Sequence, residues 1–250
     1  MKIARSNQRM AIPYGSTAPR AAALAAIARG DCAGIDLPAA PVAVIDCGPK
    51  APLRLADLVH PFTLPPSAQD LSHADKQAEI LKSHILSLCA MWNRPQRAFV
   101  VKYFADVCAN VDARATELRA RMGDLTGLVE LRHWCFAAHM IMPRAHIVLQ
   151  PSGSPSKYVS ADFALWSGSE LVTCFVATES SVFGTRKRAI DTLVAAGVDV
   201  RHVDAGQLHN PNWSLLDAIS PTTANFLDGV ELADSPFRGR GLEAPVRAAR

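Results

Sequence analysis

Asp162 stands between Ala161 and Phe163 inside an otherwise apolar run, Tyr158 to Trp166. A carboxylate in that setting is either an edge group facing solvent or the first ligand of a hard cation, which needs one or two carboxylates together with water or phosphate oxygens. A single Asp does not make such a site. The next β-rich run, Leu171 to Ala177, offers no acid at its centre, where Thr173, Cys174, Phe175 and Val176 follow one another. Glu170 at the start of that run is the candidate partner for Asp162; Glu179 lies beyond its other end, and Glu130 is a more distant alternative. The chemistry that Asp162 and Glu170 would support is metal-dependent phosphodiester hydrolysis. No metal ligand set is complete, and no cofactor is expected.

Three adjacent cations, Arg186, Lys187 and Arg188, open a helical segment whose buried stripe is Ala189, Ile190, Leu193 and Val194. Cations near a helix N-terminus stand against the dipole, so a bound phosphate would relieve them; the alternative is a solvated helix face. The preceding loop, Ser180 to Thr185, supplies hydroxyls but a single glycine and no lysine at phosphate-loop spacing. His133, Cys135 and His139 fall on one expected helix, with Cys135 and His139 sharing a face. No second pair stands at zinc-ligand spacing, and packing explains them better. Neither Gly-x-Ser-x-Gly nor His-Glu-x-x-His occurs.

The elements that must position these residues follow from local patterning. His146 to Gln150 predicts a strand. Tyr158 to Trp166 and Leu171 to Ala177, joined by Ser167-Gly168-Ser169, predict a hairpin, and the basic helix then stops at Gly197 before the strand Val198 to Val203. Upstream, Leu81, Ile85, Leu88, Cys89 and Trp92 recur at helical spacing. Asn93, Arg94 and Pro95 end that helix, and Phe99, Val100, Tyr103, Phe104 and Val107 mark a second, from about Gln96 to Asn110. Val111 to Met122 continues it as a charged third segment, and a further helix is expected over Leu125 to Met140. Helical repeats of 34 to 45 residues are not evident. The fold class is therefore mixed α/β, a mixed sheet flanked by helices. Its expected parts are a basic, Pro-rich arm over 1–72 with a short strand over Val42 to Ile45, a helical unit over 73–140, the α/β domain over 141–235 and a basic tail over 236–250.

With 250 residues, 49% of them apolar, the chain is long enough for a full core, and its net charge of +3 permits an anionic partner without requiring one. Six cysteines without a CxxC pair point to reduced thiols. No apolar run is long enough to span a bilayer, so no membrane partner is expected. The first 30 residues carry Lys2, Arg5, Arg9, Arg20 and Arg29 and no acid, which resembles an organelle transit peptide and predicts the mitochondrial matrix, with the cytoplasm as the alternative. The tail carries Arg238, Arg240, Arg247 and Arg250 against one Glu.

The order of elements over 146–203 resembles the PD-(D/E)XK nuclease-like superfamily. Within it, Gly184 to Val200, a basic helix, a Leu-x-x-x-Gly turn and a valine strand, resembles the RAP domain. The resemblance covers about a quarter of the chain. It implies that Asp162 occupies the place of the first acid, whereas the second motif, acid-x-Lys, falls on Cys174-Phe175-Val176-Ala177, groups that suit neither a hard cation nor water activation. It also implies RNA as a partner. The expectation is thus a catalytically silent, RAP-like structural protein of a ribonucleoprotein such as the mitochondrial ribosome. Arg5, Arg9, Arg186, Lys187, Arg188, Arg238 and Arg240 would touch phosphates, and protein subunits would be further partners. The alternatives are a divergent nuclease using Asp162 with Glu170 or Glu130, and a soluble protein-interaction module.

Overall fold

A computed structural model describes residues 2–3, 9–15, 25, 41–47, 52–58, 74–123, 130–150, 155–177, 185–219, 225–228 and 230. Helix α1 (Ala74–Leu88) buries Ala74, Gln77, Ala78, Leu81 and Ile85, positions three and four apart that share one stripe. Helix α2 (Arg94–Ala113) follows after a short turn. Its start is fixed by Asn93, whose side chain accepts the Gln96 N–H at 3.1 Å, and by Pro95 in the first turn. Phe99, Val100, Tyr103, Phe104, Val107 and Val111 bury one face of α2. The short α3 (Ala115–Met122) stops at Gly123, whose φ of 52° carries the chain out of the helix.

The expected helix over Leu125 to Met140 is, among the described residues, a 3-10 helix confined to Leu131–Ala137. Trp134, Cys135, Phe136 and Ala137 are all buried in it, so the stretch is apolar all round and has no stripe for an α-helical period to follow. Ala138 is already extended. His133, Cys135 and His139 therefore do not lie along one α-helical face.

The main sheet has the order β1-β4-β5-β6-β7, with β1 Lys2–Ile3, β4 Met142–Gln150, β5 Lys157–Trp166, β6 Leu171–Ala177 and β7 Asp199–Asp204. Strands β4, β5 and β6 form an antiparallel meander; helix α4 (Thr185–Ala195) then returns the chain so that β7 pairs parallel to β6. Gly168, with φ 98°, makes the hairpin turn, and Gly197, with φ 76°, ends α4. The fold is mixed α/β, a mixed sheet with helices packed on it. A last short helix, α5 (Leu215–Ile219), packs on α2.

The residues before 72 that read as an irregular arm contribute to the core where they are described. Strand β1 adds to the edge of the main sheet beside β4. Strand β2 (Arg9–Pro13) pairs with β3 (Val42–Asp46) as a two-stranded sheet. Met10, Ile12, Tyr14 and Ile45 are buried in the same apolar core as the helices and the main sheet. The Tyr14 N–H reaches the Pro41 carbonyl at 3.0 Å, and the Gly15 N–H reaches the Pro143 carbonyl at 2.8 Å, tying this segment to the start of β4. Alternation of small and large apolar residues in Arg-Met-Ala-Ile-Pro carries a strand signal that the surrounding prolines and basic residues obscure.

Candidate functional site

Two irregularities in the sheet meet at Asp162. The β4–β5 ladder pairs Pro143 with Phe163 and Ala145 with Ala161, and skips the position at which Arg144 would face Asp162. Arg144 is there in the left-handed region, φ 50°, a conformation that non-glycine residues adopt at a cost of about 1–3 kcal/mol. On the other side, β5 and β6 pair only from Phe163↔Cys174 to Trp166↔Leu171, while β6 continues along β7 as far as Ala177↔Asp204. Strand β5 thus parts from β6 just where Asp162 sits. The Val176 N–H, left without a strand partner on that side, is taken by Asp162 Oδ2 at 2.8 Å.

The other carboxylate oxygen is also occupied. Gln96 Nε2 on α2 donates to Asp162 Oδ1 at 2.8 Å. Arg186 on α4 places Nη2 at 3.6 Å from Oδ2 and donates from Nη1 to the Val176 carbonyl at 2.8 Å. Asp162 is only 9% exposed, so its charge is carried by two hydrogen bonds and one guanidinium rather than by water. Its neighbour on the same strand, Phe163, stacks on Phe99 of α2 with ring centroids 4.0 Å apart, which fixes the helix against the strand and sets Gln96 in place.

Where β5 leaves β6, a cleft of about 640 Å³ opens under α4. Four cationic residues line it, Arg144, Lys157, Arg186 and Arg188, and among the described residues its sole acid is Asp162. Arg144, Lys157 and Arg188 take part in no ion pair among the described residues, in contrast with Arg186. The wall also carries Tyr158 and His146, whose rings meet edge to face at 5.1 Å, and His146 Nδ1 lies 2.9 Å from Ser160 Oγ. Outside the cleft, Met91 and Trp92 stand 78% and 84% exposed at the turn that leads into Gln96. Trp92, expected on the buried stripe of the first helix, is thus on the surface, because α1 ends at Leu88 before the period reaches it.

Neither protein-family models, nor curated proteins, nor solved structures give a match to this chain.

Of the residues singled out by sequence, Asp162, Arg186 and Arg188 are brought together. Glu170 is not. It is exposed at the hairpin end, where its carbonyl accepts the Ser167 N–H at 3.1 Å. It lies five residues from Phe175, roughly 16 Å along the strand. Glu130 is committed elsewhere: its carboxylate accepts the Ala74 N–H at 3.0 Å and so caps α1. The pairing of Asp162 with Glu170 or Glu130 is therefore corrected: neither carboxylate faces it. No group of three or more His, Cys, Asp or Glu side chains is placed to hold a metal among the described residues. Lys187 is exposed on α4 and does not line the cleft, so the three adjacent cations divide: Arg186 turns inward to Asp162, Arg188 faces the cleft and Lys187 faces away from it.

Arg9 begins β2, its side chain outside the described residues, as are Arg5, Arg238, Arg240, Glu179 and the Ser180 to Gly184 loop. The residues that sequence missed, Gln96, Arg144 and Lys157, come from three different elements. Their only signal was the Asn93 cap that starts the helix two residues before Gln96 and the Pro143-Arg144 step inside an apolar run.

Proposed function

We propose that this protein is a catalytically silent RNA-binding protein, a structural component of a ribonucleoprotein, whose cleft under α4 takes the phosphate backbone of a single strand. The observation that carries the reading is that Arg144, Lys157 and Arg188 line a cleft whose one carboxylate is already consumed by Gln96, the Val176 N–H and Arg186. A cleft with three uncommitted cations attracts a polyanion, and side chains that neutralise phosphates release counterions as they bind. The meander, crossover helix and parallel strand follow the order that the nuclease-like resemblance implies, and the guanidinium of Arg186 lies against the carboxylate that would otherwise hold a cation. Trp92, exposed at the turn leading into the cleft wall, offers a flat apolar face on which a base can stack.

The test is anisotropy of a labelled single-stranded RNA oligonucleotide with the full chain, titrated over salt. Three phosphate contacts predict a slope of about −2 in log K against log salt, at about −0.7 per contact. Replacing Arg144, Lys157 and Arg188 together by Ala abolishes most of that slope. Absence of binding at low salt, or an unchanged slope in the triple variant, overturns the reading. Incubation with Mg²⁺ or Mn²⁺ leaves the RNA intact; cleavage that disappears in Asp162→Asn would establish a nuclease instead.

A further inference from the structure

At the far end of α2 from the cleft, Cys108 and the buried Cys135 of the 3-10 helix bring their Sγ atoms to 3.7 Å without a covalent bond. The other described thiols are placed differently: Cys89 Sγ donates to the Ile85 carbonyl, Cys47 Sγ donates to the Ile45 carbonyl, and Cys174 is sealed in the sheet, where burial pushes its thiol up. Buried free cysteines are usually small apolar fillers. Here a charge is added. Arg132, three residues before Cys135, sets its guanidinium against both sulfurs while Nη2 donates to Asp112 at 2.8 Å and Nε lies 3.6 Å from Asp75. Its Nη1 is buried and meets no nitrogen or oxygen partner among the described residues.

We propose that Cys108 and Cys135 are a reversible dithiol–disulfide site, in which the half-buried Cys108 sulfur meets a hydroperoxide oxidant and the buried Cys135 resolves the product. The hydrogen bond from Cys135 and the Arg132 charge bring the Cys108 thiol down to about 7, against the opposing pull of burial and of Asp112 and Asp75, whereas Cys135 is pushed up. Cys108 is therefore the sulfur that is anionic first, and it is also the more exposed of the two. Its thiolate attacks one oxygen of hydrogen peroxide. The O–O bond breaks, Cys108 becomes a sulfenic acid, and the departing hydroxide takes up the proton that Cys108 had released, forming water. Cys135 sulfur then attacks Cys108 sulfur; the S–S bond forms as the S–O bond breaks, and the hydroxide leaves with the Cys135 proton as a second water. Two thiols are oxidised, one peroxide is reduced, and a dithiol reductant reverses the change. Closing the bond brings the sulfurs from 3.7 Å to roughly 2.0 Å and ties α2 to the 3-10 helix across the segment that carries α3. The site does not depend on the RNA reading.

The experiment exposes the reduced full chain to hydrogen peroxide, follows intact mass, and maps peptides without reduction. The expected result is a loss of two hydrogens, a Cys108–Cys135 linked peptide, and recovery of both on adding dithiothreitol. In Cys135→Ser the Cys108 sulfenic acid persists and is captured by dimedone, whereas Cys108→Ser yields no link. Arg132→Met slows linkage several-fold at neutral pH, an effect that shrinks as pH rises and Cys108 ionises unaided. Peroxide treatment of the wild-type chain that links other cysteines, or that leaves Cys108 alkylatable or dimedone-modified with no link, overturns the proposal.

Discussion

Helix α2 carries a polar group at each end, and the two ends are built on opposite terms. At its start, Gln96 reaches Asp162, and the acid itself is fully engaged: each carboxylate oxygen accepts a hydrogen bond at 2.8 Å, and Arg186 balances the charge, while Gln96 Oε1 is left buried without a partner among the described residues. At its end, Cys108 meets Cys135 at 3.7 Å, with an Arg132 nitrogen that is buried and has no oxygen to bind among the described residues. A carboxylate with both oxygens bonded holds shape, whereas a pair of thiols in contact but unbonded is one step from a covalent link. On the readings proposed above, Asp162, a candidate acid in the sequence, holds the strands and helices around it together, and the thiol that reads as packing is the group with chemistry to spare.

The largest expected effect sits between the two ends. Tyr103 of α2 donates its hydroxyl to the His139 carbonyl, and the His139 ring is 5% exposed. Burial, helped by the Arg54 charge, pushes His139 down to about 4 from 6.5. Between those values the unfolded chain binds a proton that the folded chain refuses. Stability is then full above pH 6.5 and declines as pH falls toward 4, by roughly 3 kcal/mol at most. Urea midpoints measured from pH 7 to pH 4.5 check this, and His139→Phe flattens the dependence. If the wild-type curve is already flat, the middle of α2 is less tightly sealed than its ends.

Asp162→Ala removes two hydrogen-bond acceptors from buried donors and leaves Arg186 without its counter-charge. The expected loss is about 2–3 kcal/mol, discounted because the Arg186 side chain is 34% exposed. Asp162→Asn retains an acceptor for one of the two donors, and roughly half the loss follows. Cys135→Ala at the other end removes only a thiol contact and a small volume, about 1 kcal/mol. Urea denaturation of the three variants measures the contrast; a Cys135→Ala loss equal to that of Asp162→Ala would erase the difference drawn between the ends.

The elements around both ends were legible because their residues obey a local period. Apolar residues three and four apart mark α2, and Gly168 and Gly197 punctuate the hairpin and the crossover; Asn93, Arg94 and Pro95, which read as the end of the helix before, instead start α2, since that helix stops at Leu88. What was not legible depends on register. The sequence already puts no acid at the centre of the strand after Asp162, but which of its residues comes level with Asp162 follows only from the pairing of Phe163 with Cys174, which makes it Phe175. Arg144 enters the cleft through a backbone conformation that no propensity announces. Cys108 and Cys135 are separated by α3, and their meeting is a consequence of how the 3-10 helix packs on α2. Strand β3 agrees with the short strand that Val42 to Ile45 suggests, whereas β2 was masked by Pro13 and the basic residues at its margins.

Trp92→Ala tests whether the open turn before Gln96 belongs to the cleft. A base stacked on the indole contributes about 1–3 kcal/mol, so the variant loses RNA affinity by that amount without a change in salt slope, since no charge is removed. Folding stability stays the same because the side chain is 84% exposed.

The smallest effect is also the sharpest, because it separates residues adjacent in sequence. Lys187 and Arg188 carry the same charge on the same turn of α4, but only Arg188 lines the cleft. If attraction at a distance drove binding, either substitution by Ala would weaken it alike. If phosphates sit in the cleft, Arg188→Ala lowers the salt slope by about 0.7 while Lys187→Ala leaves the slope unchanged within error. Equal slopes would move the anion out of the cleft and onto the outer face of α4, and Asp162 would then be a buried structural acid that the partner never approaches.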